Sequence, residues 1–171
     1  MTWTIETALW WLITLVWAGE MFYLSTPMFG TSLSLSLLAV IFESVHLNVS
    51  APTLHLLNTA MRKSAHLAEY AMLSALLYGS LRGRRGWNWQ PRVARGCLVV
   101  AAVYSFTDEF HQLFSPGRGP SLIDCGIDAC GAVMGILLIY WRARNRRNET
   151  WKGLASWARS RTGRESRSVG P

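Results

Sequence analysis

Cysteine and acidic residues are scarce in this chain. Its 171 residues include three cysteines and ten Asp or Glu residues, against 17 Lys or Arg. Three is an odd number, and the cysteines lie near or within apolar segments, so we expect no disulfide framework and interpret Cys97, Cys125 and Cys130 as small packing residues. The chain also has no HExxH, GxSxG or paired CxxC motif. It therefore lacks the common signatures of zinc proteases, serine hydrolases and zinc ribbons.

The features of a cleavable signal peptide are also missing. No Lys or Arg precedes the first apolar run, and no small-residue cleavage site follows it cleanly. We therefore expect the first apolar segment to be retained as a membrane span.

Four apolar windows approach the roughly 17 to 25 residues that a bilayer-spanning helix needs. They cover about residues 7–24, 64–81, 97–114 and 122–141. Half of the residues are hydrophobic, but the mean hydropathy is only +0.17 because polar residues concentrate after position 141. The sequence predicts an all-α polytopic membrane protein in which residues 1–141 form a four-helix transmembrane bundle.

Basic residues are concentrated in two segments. Five arginines lie at positions 82–95, between the second and third windows, and nine Lys or Arg follow the fourth. The positive-inside rule places both segments in the cytoplasm, so four spans put the N- and C-termini there as well. The net charge of +7 thus fits a membrane surface, and we expect no nucleic-acid partner. Residues 142–171 are predicted to be a disordered basic tail, or one lying on the anionic inner leaflet.

The stretch between the first two windows has two interpretations. The Leu-rich run at 33–42 could be a fifth span or an amphipathic helix on the outer surface, separated by Pro52 from a second short helix. The apolar part is short and rich in Ser before Glu43, which favours the surface helix. Charge does not decide between the two.

Ionisable residues gather at the predicted outer ends of three spans. The groups are Lys63, His66, Glu69 and Tyr70 on the second span, Asp108, Glu109, His111 and Gln112 on the third, and Asp124 and Asp128 on the fourth. At about 100° per residue, each group lies mainly on one side of its helix. Gly131 and Gly135 continue the acidic face of the fourth span and would let another helix approach closely. We therefore expect the three groups to form one site.

The connector between the third and fourth spans is short and contains Pro116 and Pro120, which predicts an antiparallel hairpin. Arg118 at its tip would lie near the outer headgroups. A guanidinium there suits bidentate binding of a phosphate or carboxylate, and equally an internal pair with Asp108, Glu109 or Asp124.

Charged groups inside a membrane are costly, which favours a functional role for this cluster. Its residue types suit acid–base chemistry or a divalent metal, but the two histidines lie on different helices, so we assign no metal and no cofactor. We predict catalytic roles for His66, Asp108, Glu109, His111 and Asp124. We predict substrate-binding roles for Lys63, Glu69, Tyr70, Gln112, Arg118 and Asp128. Alternatively, the cluster only joins the helices through hydrogen bonds.

Two motifs, RKSAHLAEY at 62–70 and DEFHQLFSPGR at 108–118, followed by Asp124 and Gly131, resemble the VanZ-like family of small bacterial membrane proteins. The resemblance covers about residues 7–140. It implies a compact four-helix domain in the bacterial cytoplasmic membrane and an association with resistance to teicoplanin, a lipid-bearing glycopeptide. The family's motif residues fall on Lys63, His66, Tyr70, Asp108, Glu109, Gln112 and Arg118. Asp128 stands where the family often has Asn.

The residues and the resemblance together favour an outward-facing site that binds an anionic lipid or a lipid-linked envelope precursor and, in its stronger form, modifies it. The alternative is a non-enzymatic protein with a structural polar cluster, which shields against or binds lipophilic antibiotics or an envelope partner. Catalytic turnover and homo-oligomerisation stay open. A transporter or channel is disfavoured because the polar groups stop in the outer third of the bundle.

Overall fold

The computed structural model describes residues 4–26, 28, 30–83, 87–112 and 121–165, except for the side chains of residue 112 and residues 151–165. Within these ranges the chain forms α-helices and no strand. The helices are α1 (Ile5–Leu24), α2 (Thr31–Ser44), α3 (Ala51–Leu81), α4 (Pro91–Gln112) and α5 (Leu122–Glu165). The predicted all-α class is confirmed.

Two of these helices are long and apolar enough to cross a membrane, α1 over Ile5–Leu24 and α5 over Leu122–Thr150. Only 17 % and 33 % of their most apolar windows are buried within the chain. Leu12 and Val16 on α1, and Leu137 and Leu138 on α5, are exposed. Continuous outward apolar surface of this kind is typical of contact with lipid. The other two predicted spans fall on α3 and α4, and the four-span bundle stays a prediction.

The central helix is α3, which contacts each of the other four helices. It begins where Ser50 Oγ accepts a hydrogen bond from the Thr53 backbone N–H at 3.4 Å. Pro52 lies in its first turn, where a missing N–H costs no helical hydrogen bond. The prediction of a break before a second helix agrees with the structure, in which residues 45–50 separate α2 from α3, and Pro52 lies just after this break. The second helix is not short, because α3 continues unbroken for 31 residues.

Packing of α3 against α5 is close, as the two glycines predicted. A methyl group added at Gly131 would overlap the Leu67 carbonyl oxygen, and one at Gly135 would overlap the Ala71 carbonyl oxygen. Ser74 Oγ donates to the Ala132 carbonyl oxygen at 2.9 Å across the same contact. The predicted close approach at the glycine face is thus confirmed, and it brings the acidic end of α5 beside α3.

Three polar contacts hold α1 against the rest of the bundle. Thr14 Oγ1 lies 2.9 Å from Ser80 Oγ. Trp17 Nε1 donates to the Glu69 carbonyl oxygen at 3.2 Å, and the Tyr104 hydroxyl donates to the Ala18 carbonyl oxygen at 2.5 Å. The last two contacts place the second half of α1 beside the polar residues in the middle of α3 and in the second half of α4.

The basic tail differs from its prediction as a disordered segment. The last helix, α5, continues past Arg142 to Glu165. No proline interrupts positions 121–170, and the Arg, Lys, Ala and Leu residues of this stretch favour helix, so a helix that starts in the apolar segment can extend through it. Residues 166–171 lie outside the described ranges.

Candidate functional site

Two charge pairs join α3 to α5. Lys63 Nζ donates to Asp124 Oδ1 at 2.8 Å, and the two side chains are 44 % and 35 % exposed. About one turn further along each helix, His66 Nδ1 lies 3.5 Å from Asp128 Oδ1. The Lys63–Asp124 pair is partly solvated, whereas Asp128 is 1 % exposed. Lys63 and His66 therefore follow one another along α3 at the same levels as Asp124 and Asp128 along α5.

Asp128 also contacts α4. Its Oδ2 accepts a hydrogen bond from Ser105 Oγ at 2.6 Å, and this contact is buried. One carboxylate thus connects three helices. Ser105 precedes Asp108 by three residues, so the two lie on the same side of α4.

A cavity of about 190 Å³ lies beside these pairs, where the end of α1 meets α3 and α4. Its lining residues are Met21, Leu24, Ser25, Arg62, Ala65, His66, Glu69, Tyr70 and Asp108. Ligand pockets for drug-sized molecules occupy roughly 300 to 1,000 Å³, so this cavity suits a small polar group. Apolar side chains from α1 form one wall, and ionisable side chains from α3 and α4 form the other.

The cavity combines donors and acceptors. Arg62 and His66 are cationic or protonatable, Glu69 and Asp108 are carboxylates, and Tyr70 supplies a hydroxyl. Asp108 is 7 % exposed and Tyr70 is 1 % exposed. The Tyr70 ring centroid lies 6.3 Å from that of Tyr104. Four predicted site residues, His66, Glu69, Tyr70 and Asp108, therefore meet at one place.

Glu109 and His111 point to other contacts. Glu109 Oε2 accepts a hydrogen bond from the Ser121 backbone N–H at 2.7 Å, so it joins the end of α4 to the start of α5. Ser121 Oγ in turn accepts from the Asp124 backbone N–H at 3.3 Å and caps α5. The His111 ring lies 4.6 Å from the Phe22 ring of α1. Neither Glu109 nor His111 lines the cavity.

Two predicted binding residues lie beyond what the structure describes. Gln112 ends α4, but its side chain is outside the described part of the chain. Arg118 belongs to residues 113–120, which are also outside it. Their proposed roles stay predictions.

Arg62 is the charged cavity residue that sequence reasoning missed, because the substrate-binding role was given to its neighbour Lys63. Spacing alone does not separate the two basic residues. Arg62 and Lys63 are four and three residues from His66, and both spacings fit one helix face. The contact of Lys63 with Asp124 decides that Arg62 is the one beside the cavity.

Comparison with known proteins identifies the family of this chain. A family model described as VanZ/LLP1 matches residues 10–143. No curated protein and no solved structure matches the chain. The matched range includes every cavity residue and both charge pairs.

Proposed function

Because the chain belongs to the VanZ/LLP1 family, we propose that it binds an anionic lipid headgroup in the cavity beside His66. The family is associated with teicoplanin resistance, and teicoplanin carries a lipid chain. Family membership and the apolar helices α1 and α5 place the protein in a membrane. The ligand class is therefore an anionic lipid or a lipid-linked envelope precursor.

The observation that carries this proposal is the mixed chemistry of the cavity. Arg62 supplies a planar guanidinium that suits a phosphate, and His66 adds a second nitrogen donor when protonated. Glu69 and Asp108 can accept hydrogen bonds from hydroxyl or ammonium groups of the same ligand. A headgroup with a phosphate next to hydroxyl groups, such as a sugar phosphate, matches both sets.

The proposed topology puts this cavity at the outer leaflet. The positive-inside rule assigns the Arg-rich 82–95 segment and the C-terminal tail to the cytoplasm, which leaves the Asp124 end of α5 outside. In this arrangement α3 and α4 are also spans, and α2 lies on the outer surface. A hydrogen bond from Asn58 Nδ2 to the Thr31 carbonyl oxygen, at 3.5 Å, connects α2 to α3 one turn before Arg62.

The stronger form of the proposal includes chemistry on the bound headgroup. Asp128 lies on the Nδ1 side of His66, so Nε2 is the ring nitrogen available to exchange a proton with a ligand. Asp128 would then act as a positioning residue, held by Ser105. Asp108 would orient the headgroup from α4.

The test is complementation of a deletion strain with His66→Ala, Asp108→Ala, Arg62→Ala and Arg118→Ala. We expect each variant to lose teicoplanin resistance, or the associated change in the lipid profile, while its abundance in the membrane stays normal. His55→Ala is the matched control, since His55 is an exposed histidine on the same helix. Normal resistance in the four variants would contradict the proposal.

A second candidate function is non-enzymatic, and the contacts between helices favour it. Lys63–Asp124, Ser105–Asp128 and Glu109–Ser121 join α3, α4 and α5 without any ligand. In that case the cluster is structural, and the protein shields against or binds lipophilic antibiotics or an envelope partner. An unchanged lipid profile with altered glycopeptide susceptibility, and loss of protein in the His66→Ala strain, would support this candidate.

A further inference from the structure

A second groove lies far from the cavity, between residues 87–89, which precede α4, and the middle of α5. Its volume is about 570 Å³, and its lining residues are Trp87, Asn88, Trp89, Tyr140, Ala143, Arg144, Arg146, Arg147 and Thr150. Asp128, which contacts the cavity residue His66, and Arg144 are sixteen residues apart on α5, which is about 24 Å along a helix. The hydrocarbon core of a bilayer is about 30 Å thick. The groove and the cavity are thus separated by most of one membrane thickness.

The aromatic wall of the groove is held by a buried tyrosine of α3. The Tyr78 hydroxyl donates to the Asn88 carbonyl oxygen at 2.8 Å and accepts from the Gln90 backbone N–H at 2.9 Å. Its ring is stacked with that of Trp89, with centroids 6.2 Å apart. The Trp89 ring in turn meets the Tyr140 ring edge-on at 5.0 Å. Two hydrogen bonds and two ring contacts therefore fix this wall before any ligand binds.

The second tryptophan is held in the same way. The Arg82 guanidinium lies over the Trp87 ring at 4.5 Å from its centroid, and the Trp10 ring meets Trp87 at 5.3 Å. Arg82 also pairs with Glu6 at 2.5 Å. The charge of Arg82 is thus engaged within the protein, and the cationic side of the groove comes from α5.

The α5 side of the groove is positively charged. Arg144, Arg146 and Arg147 are exposed, and no carboxylate is among the described residues that line the groove. Tyr140, Arg144 and Arg147 are spaced four and then three residues apart, so they share one helix face. Arg146 also lines an adjacent groove with Glu149, which leaves Arg144 and Arg147 as the pair turned towards the tryptophans.

We propose that this groove binds a phospholipid with a net negative headgroup, separately from the ligand of the cavity. Trp and Tyr rings are favoured at the level of the headgroups, and guanidinium groups bind phosphate through two parallel hydrogen bonds. Arg144 and Arg147 hold the phosphate, while Trp89 and Tyr140 pack against the glycerol and the first part of the acyl chains. Under the positive-inside rule this is the cytoplasmic leaflet, whose anionic lipids attract basic residues.

The test is native mass spectrometry of the full chain in detergent, titrated with dioleoyl phosphatidylglycerol or dioleoyl phosphatidylcholine. Because the double variant loses charge-assisted hydrogen bonds to the phosphate, Arg144→Gln/Arg147→Gln should bind phosphatidylglycerol at least about tenfold more weakly. Phosphatidylcholine carries the same phosphate next to a choline cation that the arginines repel, so it should bind the wild type more weakly and change less in the double variant. Trp89→Leu should weaken phosphatidylglycerol binding without altering the net charge.

Two control variants locate the effect. Arg92→Gln/Arg95→Gln removes the same charge from exposed positions at the start of α4, outside the groove, and should keep wild-type affinity. Arg62→Gln, which alters the cavity, should remove at most the lipid bound in the cavity and keep the phosphatidylglycerol whose binding depends on Arg144 and Arg147. Equal losses in the two double variants, or equal affinity of the wild type for both lipids, would overturn the proposal. Loss only in Arg62→Gln would assign the lipid to the cavity and overturn it too.

Discussion

His66 Nδ1 of α3 lies 3.5 Å from Asp128 Oδ1 of α5, and the other oxygen of that carboxylate accepts a hydrogen bond from Ser105 of α4. Asp128 is 1 % exposed, so its charge depends on these two neighbours. Asp128 therefore connects α3, α4 and α5. It also contacts the Nδ1 side of His66, which lines the cavity. The functional and structural interpretations of the polar cluster meet at this residue.

The first prediction compares the two aspartates of α5. Asp128→Ala leaves the buried Ser105 hydroxyl without its acceptor, and we expect the free energy of unfolding to fall by about 1 to 3 kcal/mol. Asp124→Ala breaks a partly exposed pair with Lys63 and should cost less than about 1 kcal/mol. Thermal unfolding of the purified protein, followed by tryptophan fluorescence, measures both. Equal costs would mean that Asp128 does not join the helices.

The second prediction concerns the glycine face of α5. Gly131→Ala places a methyl group against the Leu67 carbonyl oxygen, so α3 and α5 must separate, at a cost of about 1 to 3 kcal/mol. Gly126→Ala is the matched control, because no atom lies within 4 Å of the added methyl group. Since Ala favours helix over Gly by about 1 kcal/mol, this variant should be neutral or more stable. A Gly131→Ala protein as stable as Gly126→Ala would contradict the close approach.

The third prediction separates the adjacent basic residues of α3. Arg62 lines the cavity, whereas Lys63 donates to Asp124. If the cavity binds a headgroup phosphate, Arg62→Gln should lower affinity by about tenfold or more, as expected for loss of a charge-assisted hydrogen bond. Lys63→Gln should have a smaller effect. Lipids that copurify with each variant, quantified by mass spectrometry, give the comparison. A larger loss in Lys63→Gln would assign the phosphate to Lys63 and contradict the prediction.

The fourth prediction tests the wall of the second groove. Tyr78→Phe removes the hydroxyl that contacts Asn88 and Gln90, and we expect a loss of about 1 to 2 kcal/mol in stability. Tyr140→Phe, at a residue 38 % exposed, should change stability little. Thermal unfolding checks both variants. Phosphatidylglycerol affinity should also fall in Tyr78→Phe, because residues 87–89 lose the contacts that hold them in place.

The meeting of the three polar groups was predictable because charges near a membrane need partners and because 100° per residue fixes which side of a helix each one takes. Gly131 predicted the close approach of another helix to α5, because it has no side chain. Helix ends were harder to predict, since a hydropathy window measures apolar length and not where a helix starts. That is why α3 begins at Ala51 instead of about residue 64, and why α5 extends past residue 141.

The sequence did not show which individual residues line the cavity, because that depends on the direction of each side chain. Arg62 and Lys63 are neighbours in the motif and carry the same charge, and only the packing of α5 decides which one pairs with Asp124. Glu109 looked like a catalytic acid from its neighbours, but its contact is with the Ser121 backbone. A main-chain partner of this kind has no signature in the sequence.

Since α5 is a single helix, the two ends of the protein are mechanically connected. Asp128 and Glu165 are 37 residues apart, or about 55 Å along the axis. A tilt of about 5° where Asp128 is seated would therefore move the far end of the helix by about 5 Å. A change in the tilt of α5 beside His66 would thus appear at the far end of the helix as a displacement of several ångströms.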